Sequence, residues 1–450
     1  IMSAIVRQSI SKELSKQFLD DILGQENNYY IGIGKSDVFN IEDTVIDPID
    51  SLLEEREFRH NLQSIKSVEG ATYVTRRYNW NSGTKYKGWT DSSDLQQDRF
   101  YVLNSAKEVY ICLEQGTSQT GEVNVSTVEP NYALHAPRDV DNHVMHWEPF
   151  TTGDGYTWKF LYSLTPETIF QFLSSNYIPV HIPESDLATG DAIEDLQFVV
   201  KQNAVSGQVL RCEIIENGFG YSEAPIVTIK GDGTGATAIA YITNGQVTKI
   251  EMTSYGSGYT HATVEITGDG ASAFVRPIVS PIQGIGFDAV SDLKTSSILL
   301  TIKPDGEEDG TFIVENEFRQ IGLIKNPLTP EGVKTTVTSL KVLPKMTLVD
   351  SSPFSSGKHI IGSQSGAVAF VDESYDNIVH FHQNESTGFV DFIQGEVITQ
   401  SGVVLTGTVS EVTRTQGIDR FTGDVLYIEN RHRIRRDAEQ QEDIKVVITI

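Results

Sequence analysis

Gly218-Phe219-Gly220-Tyr221 recurs 38 residues later as Gly256-Ser257-Gly258-Tyr259, and this repetition decides how the chain is read. Gly207-Gln208-Val209 recurs as Gly245-Gln246-Val247 at the same spacing, and Gly231-Asp232-Gly233 recurs as Gly268-Asp269-Gly270 after 37 residues. Between the glycines lie alternating runs, Ala224–Lys230 and Ala262–Thr267, with almost no helical signal. The unit reads as strand, tight turn, strand. Two copies make an inserted all-β module over 197–286.

A second β-rich segment occupies 346–418, with short runs at 367–372, 378–382, 397–399 and 403–409 split by Gly, Asn, Asp and Ser. It reads as a small barrel or sandwich. The flanking chain has a mixed character. Residues 9–23 read as a helix with Ile10, Leu14, Phe18 and Ile22 on one face. Residues 29–33 read as a strand. Asp47-Pro48 reads as a helix start, and Ser51–Val68 as a partly exposed helix. Residues 71–80 and 98–113 read as strands. Thr165-Pro166-Glu167 opens a short helix with Ile169, Phe170, Phe172 and Leu173 as its apolar face. Pro179 and Pro183 are expected to end regular structure. Strand character returns at 297–302, 318–324 and 425–429, and Ile444–Ile450 is a strong strand. The fold class is therefore α+β and β-rich: a discontinuous mixed core over 1–196, 287–345 and 419–450, interrupted by two all-β modules.

Four segments, in order, resemble the gene 8 baseplate wedge subunits of T4-like contractile-tailed phages. They are Arg76-Arg77-Tyr78-Asn79-Trp80, Gly153–Tyr162, Phe318–Leu328 and Gly423–Arg431, the last followed by an acidic stretch at 439–443. The resemblance covers the three core parts and leaves out both β modules. Family prolines just after Glu429-Asn430-Arg431 are replaced here by His432-Arg433-Ile434-Arg435-Arg436. The resemblance implies a structural, non-enzymatic subunit of the virion tail baseplate, folded and assembled in the host cytoplasm. It implies partners: a second copy in a homodimer, other wedge subunits, and tail-fibre attachment proteins. Two readings from other classes stand beside it, a receptor- or glycan-binding tail protein acting through the β-repeat module and a tail-associated glycan hydrolase.

Composition supports a globular chain. Its 450 residues are 39% hydrophobic and carry a net charge of −26. That charge argues against nucleic acid and against anionic membranes as partners. The opening residues lack the apolar core of an export signal. Two cysteines, Cys112 and Cys212, make no disulfide framework, which suits a reducing cytoplasm.

No catalytic residue, cofactor or metal site is expected. Gly231–Ala236 mimics part of a dinucleotide fingerprint, but a β run rather than a helix follows, so it reads as a turn. Asp139, Asp141, His143 and His146 form the best metal-like cluster, with His143 and His146 spaced for one helical face; a polar loop leading to Trp147 is preferred. His380 and His382 share one side of a strand, where paired surface or cross-strand histidines explain them as well as a metal does. Asp154 sits in a tight turn before an aromatic stripe of Tyr156, Trp158, Phe160 and Tyr162. Tyr156 and Trp158 are interface candidates from that stripe. Arg431, Arg433, Arg435 and Arg436 are the others, expected to pair with acidic surface within or between chains.

Overall fold

The computed structural model describes residues 7–92, 95, 98–183, 190–304, 310–402, 405–414, 417–437 and 439–450. In chain order the first elements are α1 (Gln8–Leu23), β1 (Tyr29–Gly34), α2 (Leu52–Asn61), β2 (Leu62–Ser67), β3 (Gly70–Arg76), β4 (Tyr101–Leu103), β5 (Glu108–Glu114), α3 (Tyr132–His135), β6 (Phe150–Thr151) and β7 (Thr157–Ser163). There follow α4 (Pro166–Phe172), β8 (Tyr177–Val180), α5 (Ala192–Gln202), β9 (Val209–Phe219), β10 (Ile226–Gly231), β11 (Thr234–Thr243), β12 (Gln246–Ser257), β13 (Ala262–Thr267), β14 (Ala271–Val279), α6 (Ala289–Asp292) and β15 (Ser297–Ile302). The last are β16 (Asn316–Lys325), β17 (Ser339–Lys341), β18 (Lys345–Leu348), β19 (His359–Gly362), β20 (Val368–Tyr375), β21 (Ile378–His382), β22 (Val397–Gln400), β23 (Thr406–Thr413), β24 (Asp424–Arg436) and β25 (Ile444–Thr449). The fold is α+β and β-rich.

The chain forms two compact units. One holds the residues up to Ser15, Thr72–Leu299 and Ile448–Ile450; the other holds Lys16–Ala71 and Leu300–Val447. The residues read as one interrupted core are thus shared between two units, each carrying one β module. The reason is that each group of core strands builds its own apolar layer.

In the first unit, the sheet β4-β5-β7-β6 buries Val102, Tyr110, Cys112, Phe150, Trp158 and Phe160, covered by Val200 of α5. Residues 197–202, placed in the repeat module from sequence, are therefore helical and pack on this sheet. Strands of the module run from Val209 to Val279. Each repeat contributes three strands rather than two. The pairs are β9 with β14, β12 with β11, and β10 with its own counterpart β13, all antiparallel, with β10 also bridging β11 at Ile226 and Ile239. Exchanging the repeats maps the three longer ladders onto themselves, which makes the module an approximate internal pseudo-twofold; the short β10–β11 bridge has no β13–β14 counterpart among the ladders of the described residues.

In the second unit, the antiparallel sheet β17-β2-β1-β16-β24 packs around Tyr30, Phe58, Leu62, Ile65 and Ile324. The helix expected over 51–68 stops at Asn61. Ser51 caps it by accepting from the Glu54 N–H, so the start lies after Asp47-Pro48. From Leu62 the chain becomes β2, because β1 and β17 offer ladder partners on both sides. The segment 346–418 is a closed six-stranded barrel, order β18-β21-β20-β19-β22-β23. Its last strand begins at Thr406; residues 403–404 of the expected run lie outside the described residues.

Three smaller expectations change. α1 forms, but Ser15 and Leu19 are its buried positions while Ile10 and Leu14 are exposed. α4 is capped by Thr165 as expected, yet buries none of its residues, and Phe170 is exposed. Pro179 does not end structure. It sits in the edge strand β8 opposite Val74, where a missing N–H can face away from the ladder.

Candidate interaction site

The aromatic stripe is core. Tyr156 and Trp158 are completely buried, and both rings meet Tyr86 edge-on at 6.3 and 5.5 Å. They are not an interface, because β7 is covered on both faces. Asp154 is a brace. Its Oδ2 accepts from the Thr127 and Val128 N–H groups at 2.6 and 3.0 Å and from Ser126 Oγ, tying the 126–128 loop to the turn before β7. Burial opposes its charge, but these donors outweigh it and hold its pKa low.

The metal-like cluster does not converge. Asp139 accepts from the Asp141 and His143 N–H groups in an exposed loop, while His146 is buried with Nε2 3.1 Å from the Leu196 carbonyl. The three-residue spacing falls on a turn rather than a helix, so the two rings part. Among the described residues no cluster of three or more His, Cys, Asp or Glu side chains is placed to hold a metal ion. Both cysteine thiols are buried and free.

His380 and His382 are buried rather than superficial, and share one face of β21 as their spacing requires. Their electrostatics are opposite. Burial and nearby Lys341 pull His380 down to about 3. Burial also opposes a charge on His382, but Asp372 and Asp37 outweigh it and hold the imidazole up to about 9. His382 Nδ1 lies 2.7 Å from Asp372 Oδ2, and Nε2 lies 3.5 Å from Asp37 Oδ1. Ser36 and Gln63 donate to Asp372, and Asn384 donates to Asp37 and to Asn61. This network joins barrel strands β20 and β21 to the chain after β1 and to β2. Nothing in the sequence linked Asp37 with Asp372; only the fold brings them to one imidazole.

The arginine row lies on β24, the edge strand of its sheet. Phe318 pairs with Ile434 and Gln320 with Asn430, so Arg431, His432 and Arg433 bulge opposite the single residue Arg319. All four arginines have acidic partners within the chain. Arg431 faces Glu429 at 3.9 Å, Arg433 faces Glu317 at 3.5 Å, and Arg435 reaches Glu315 at 2.7 Å and Asp437 at 3.2 Å. Arg436 differs. It is 1% exposed, bonds Glu442 at 2.7 Å and the Ile313 carbonyl at 2.8 Å, and lies over the Phe312 ring. It is a structural arginine, unavailable to a partner in the folded chain. Arg431, Arg433 and Arg435 form partly open pairs, which are worth little individually and exchange partners readily.

Beside this edge the sequence reading missed a groove. Residues 48–52, Glu55 and 425–428 line a cavity of about 500 Å³. Ile46, Ile49, Leu52, Leu53 and Leu426 are exposed on and around it. Its sequence signal is the Leu52-Leu53 pair at the start of a highly charged helix. No protein-family model matches the chain, and no curated protein matches it.

Proposed function

We propose that this protein is a structural subunit of a contractile-tailed phage baseplate wedge, working without catalysis. It pairs with a second copy and holds neighbouring wedge proteins, with tail-fibre attachment proteins as further partners, through assembly in the host cytoplasm and through tail contraction. The observation that carries this reading is the β24 edge: an open strand and an apolar groove along the fourth segment of the family resemblance, followed by re-pairable arginines that run from its last residue, Arg431, to Arg435. Apolar contact with a charged rim is the chemistry of a protein interface. The net charge of −26 keeps the unassembled chain soluble and apart from itself until a shaped contact is met.

Sedimentation velocity of the purified chain, alone and mixed with candidate wedge proteins, tests the proposal. A dimer that enters a larger complex is expected. Leu52→Asp with Leu426→Asp changes exposed positions, so the fold should persist while assembly weakens at least about tenfold. A chain that stays monomeric and joins no wedge protein overturns the reading.

A further inference from the structure

A second cavity in the Lys16–Ala71 and Leu300–Val447 unit carries an inference beyond assembly. It has a volume of about 260 Å³ and is lined by His60, Val342, Gln383, Phe389, Arg414 and residues 418–421. Arg420 is nine-tenths buried there. It donates one N–H to the His60 carbonyl at 3.1 Å and lies over the Phe421 ring, 5.3 Å from its centroid, but among the described residues no carboxylate is ion-paired with its guanidinium. Asp419 is close in sequence, but its Oδ1 accepts from the Phe421 N–H at 3.0 Å. Asp372, the other acid acting on Arg420, is bonded to His382. Arg414, also on the wall, is already paired with Asp391. A buried cation that has a carbonyl and a ring face but no paired carboxylate is only partly compensated, and a counter-charge brought to it is favoured.

A second polar group agrees. His60 Nδ1 is buried and unbonded in the same wall. Burial, Arg420 and His382 pull this imidazole down to about 4, so it is neutral near pH 7. The mouth is aromatic. Phe389 and Phe421 are both about half exposed, and the His60 ring lies against them at 4.4 and 5.0 Å. The cavity is also built in advance. Arg59 in α2, bonded to Glu55, donates to the carbonyls of Arg420, Thr422 and Gly423 at 2.9, 2.8 and 2.7 Å, fixing the loop that carries Arg420.

We propose that this cavity binds a carboxylate carried on an aromatic group, the carboxylate taking N–H bonds from Arg420 and His60 while the carrier stacks on Phe389 and Phe421. A guanidinium fork matches a carboxylate, and the two rings select its carrier. Two sources share this chemistry: the terminal residue of a peptide chain and a free aromatic acid.

The test titrates the full chain with N-acetylphenylalanine, its neutral amide, inorganic phosphate and a short peptide ending in phenylalanine with a free carboxylate. Calorimetry measures affinity, and NMR follows the His60 ring. N-acetylphenylalanine is expected to bind at least about tenfold tighter than the amide or phosphate, and to raise the pKa of His60 by at least about one unit. Arg420→Gln should remove that binding, with its melting curve checking the fold. Should Arg420→Gln unfold, the His60 shift in the natural chain still decides. A peptide about tenfold tighter than the free acid assigns a chain terminus, and equal affinities assign the small acid. Equal binding of acid and amide, phosphate binding as well as the acid, or an unmoved His60 overturns the proposal.

Discussion

The two β modules are held together in different ways. In the repeat module, each copy braces the other through the same contacts. Asp232 of the first accepts from Thr260 of the second, and Asp269 of the second accepts from Ser222 of the first. The Tyr221 N–H bonds the Gly245 carbonyl, and the Tyr259 N–H bonds the Gly207 carbonyl. Each tyrosine ring lies against a glycine of the other repeat. A Cβ on Gly233 would meet Tyr259 Cγ at 2.4 Å, and one on Gly270 would meet Tyr221 Cγ at 2.5 Å. The barrel has no such repetition. It closes when β18 pairs with β23, around Met346, Ile360, Val371, Val379, Phe381 and Ile398. Its buried charged groups include the His382 network and Glu396, which accepts from the Gln364, Ser365 and Ile393 N–H groups. The lesson is that a repeat spreads its stability over duplicated small contacts, while the barrel combines an apolar interior with unrepeated buried charged groups.

That contrast can be broken most severely at Asp372. Asp372→Ala leaves the His382 imidazole buried beside fewer counter-charges, and should cost about 3–5 kcal/mol. Denaturant unfolding of the full chain checks this. A loss no larger than that of an exposed carboxylate would show that the network does not anchor the barrel.

Alkaline pH gives the next effect. The folded chain holds His382 up to about 9, above its unfolded value, so its contribution is complete below about pH 6.5 and is lost as pH rises toward 9. The loss is at most about 3 kcal/mol, and His382→Gln should flatten the slope. On the acid side the sign reverses. His380 and His60 are pulled down to about 3 and about 4, so what they contribute is complete above about pH 6.5 and is lost as pH falls. Unfolding curves measured across pH should therefore show the barrel unit most stable near the middle of this range.

A smaller effect sharpens the repeat side. Gly233→Ala and Gly270→Ala should each cost about 1–3 kcal/mol by crowding a buried tyrosine. The pseudo-twofold requires the two losses to be similar, and Tyr259→Leu should relieve the first alone. Unequal losses in matched thermal melts would mean that the repeats are alike in chain path but not in packing.

Both contrasts bear on what could be read from the chain. The glycines at 218, 220, 256 and 258 all adopt positive φ, 65°, 81°, 60° and 77°. A repeated backbone demand leaves a repeated residue, so the turns were legible. β1, β16 and β21 were legible for the same local reason, continuous runs suited to strands. The division at Asn61 was not, because Leu62–Ser67 has apolar spacing compatible with either state, and ladder partners distant in sequence decide it. Nor was the fate of Tyr156 and Trp158. Alternation places them on one face of β7, but only packing says that this face is covered. The arginines divide similarly: Arg431, Arg433 and Arg435 stay at the surface, while Arg436 turns inward onto Phe312.

The sequence by itself determined the β-rich class, the existence of two β modules and the pseudo-repeat, because turn glycines and strand alternation act over a few residues. Only the tertiary structure decided that the core residues divide into two units, that the second module closes into a barrel, and that Arg420 and His60 face one cavity. Those outcomes depend on contacts between residues hundreds of positions apart, and no local pattern encodes which distant partner will complete a ladder or neutralise a charge.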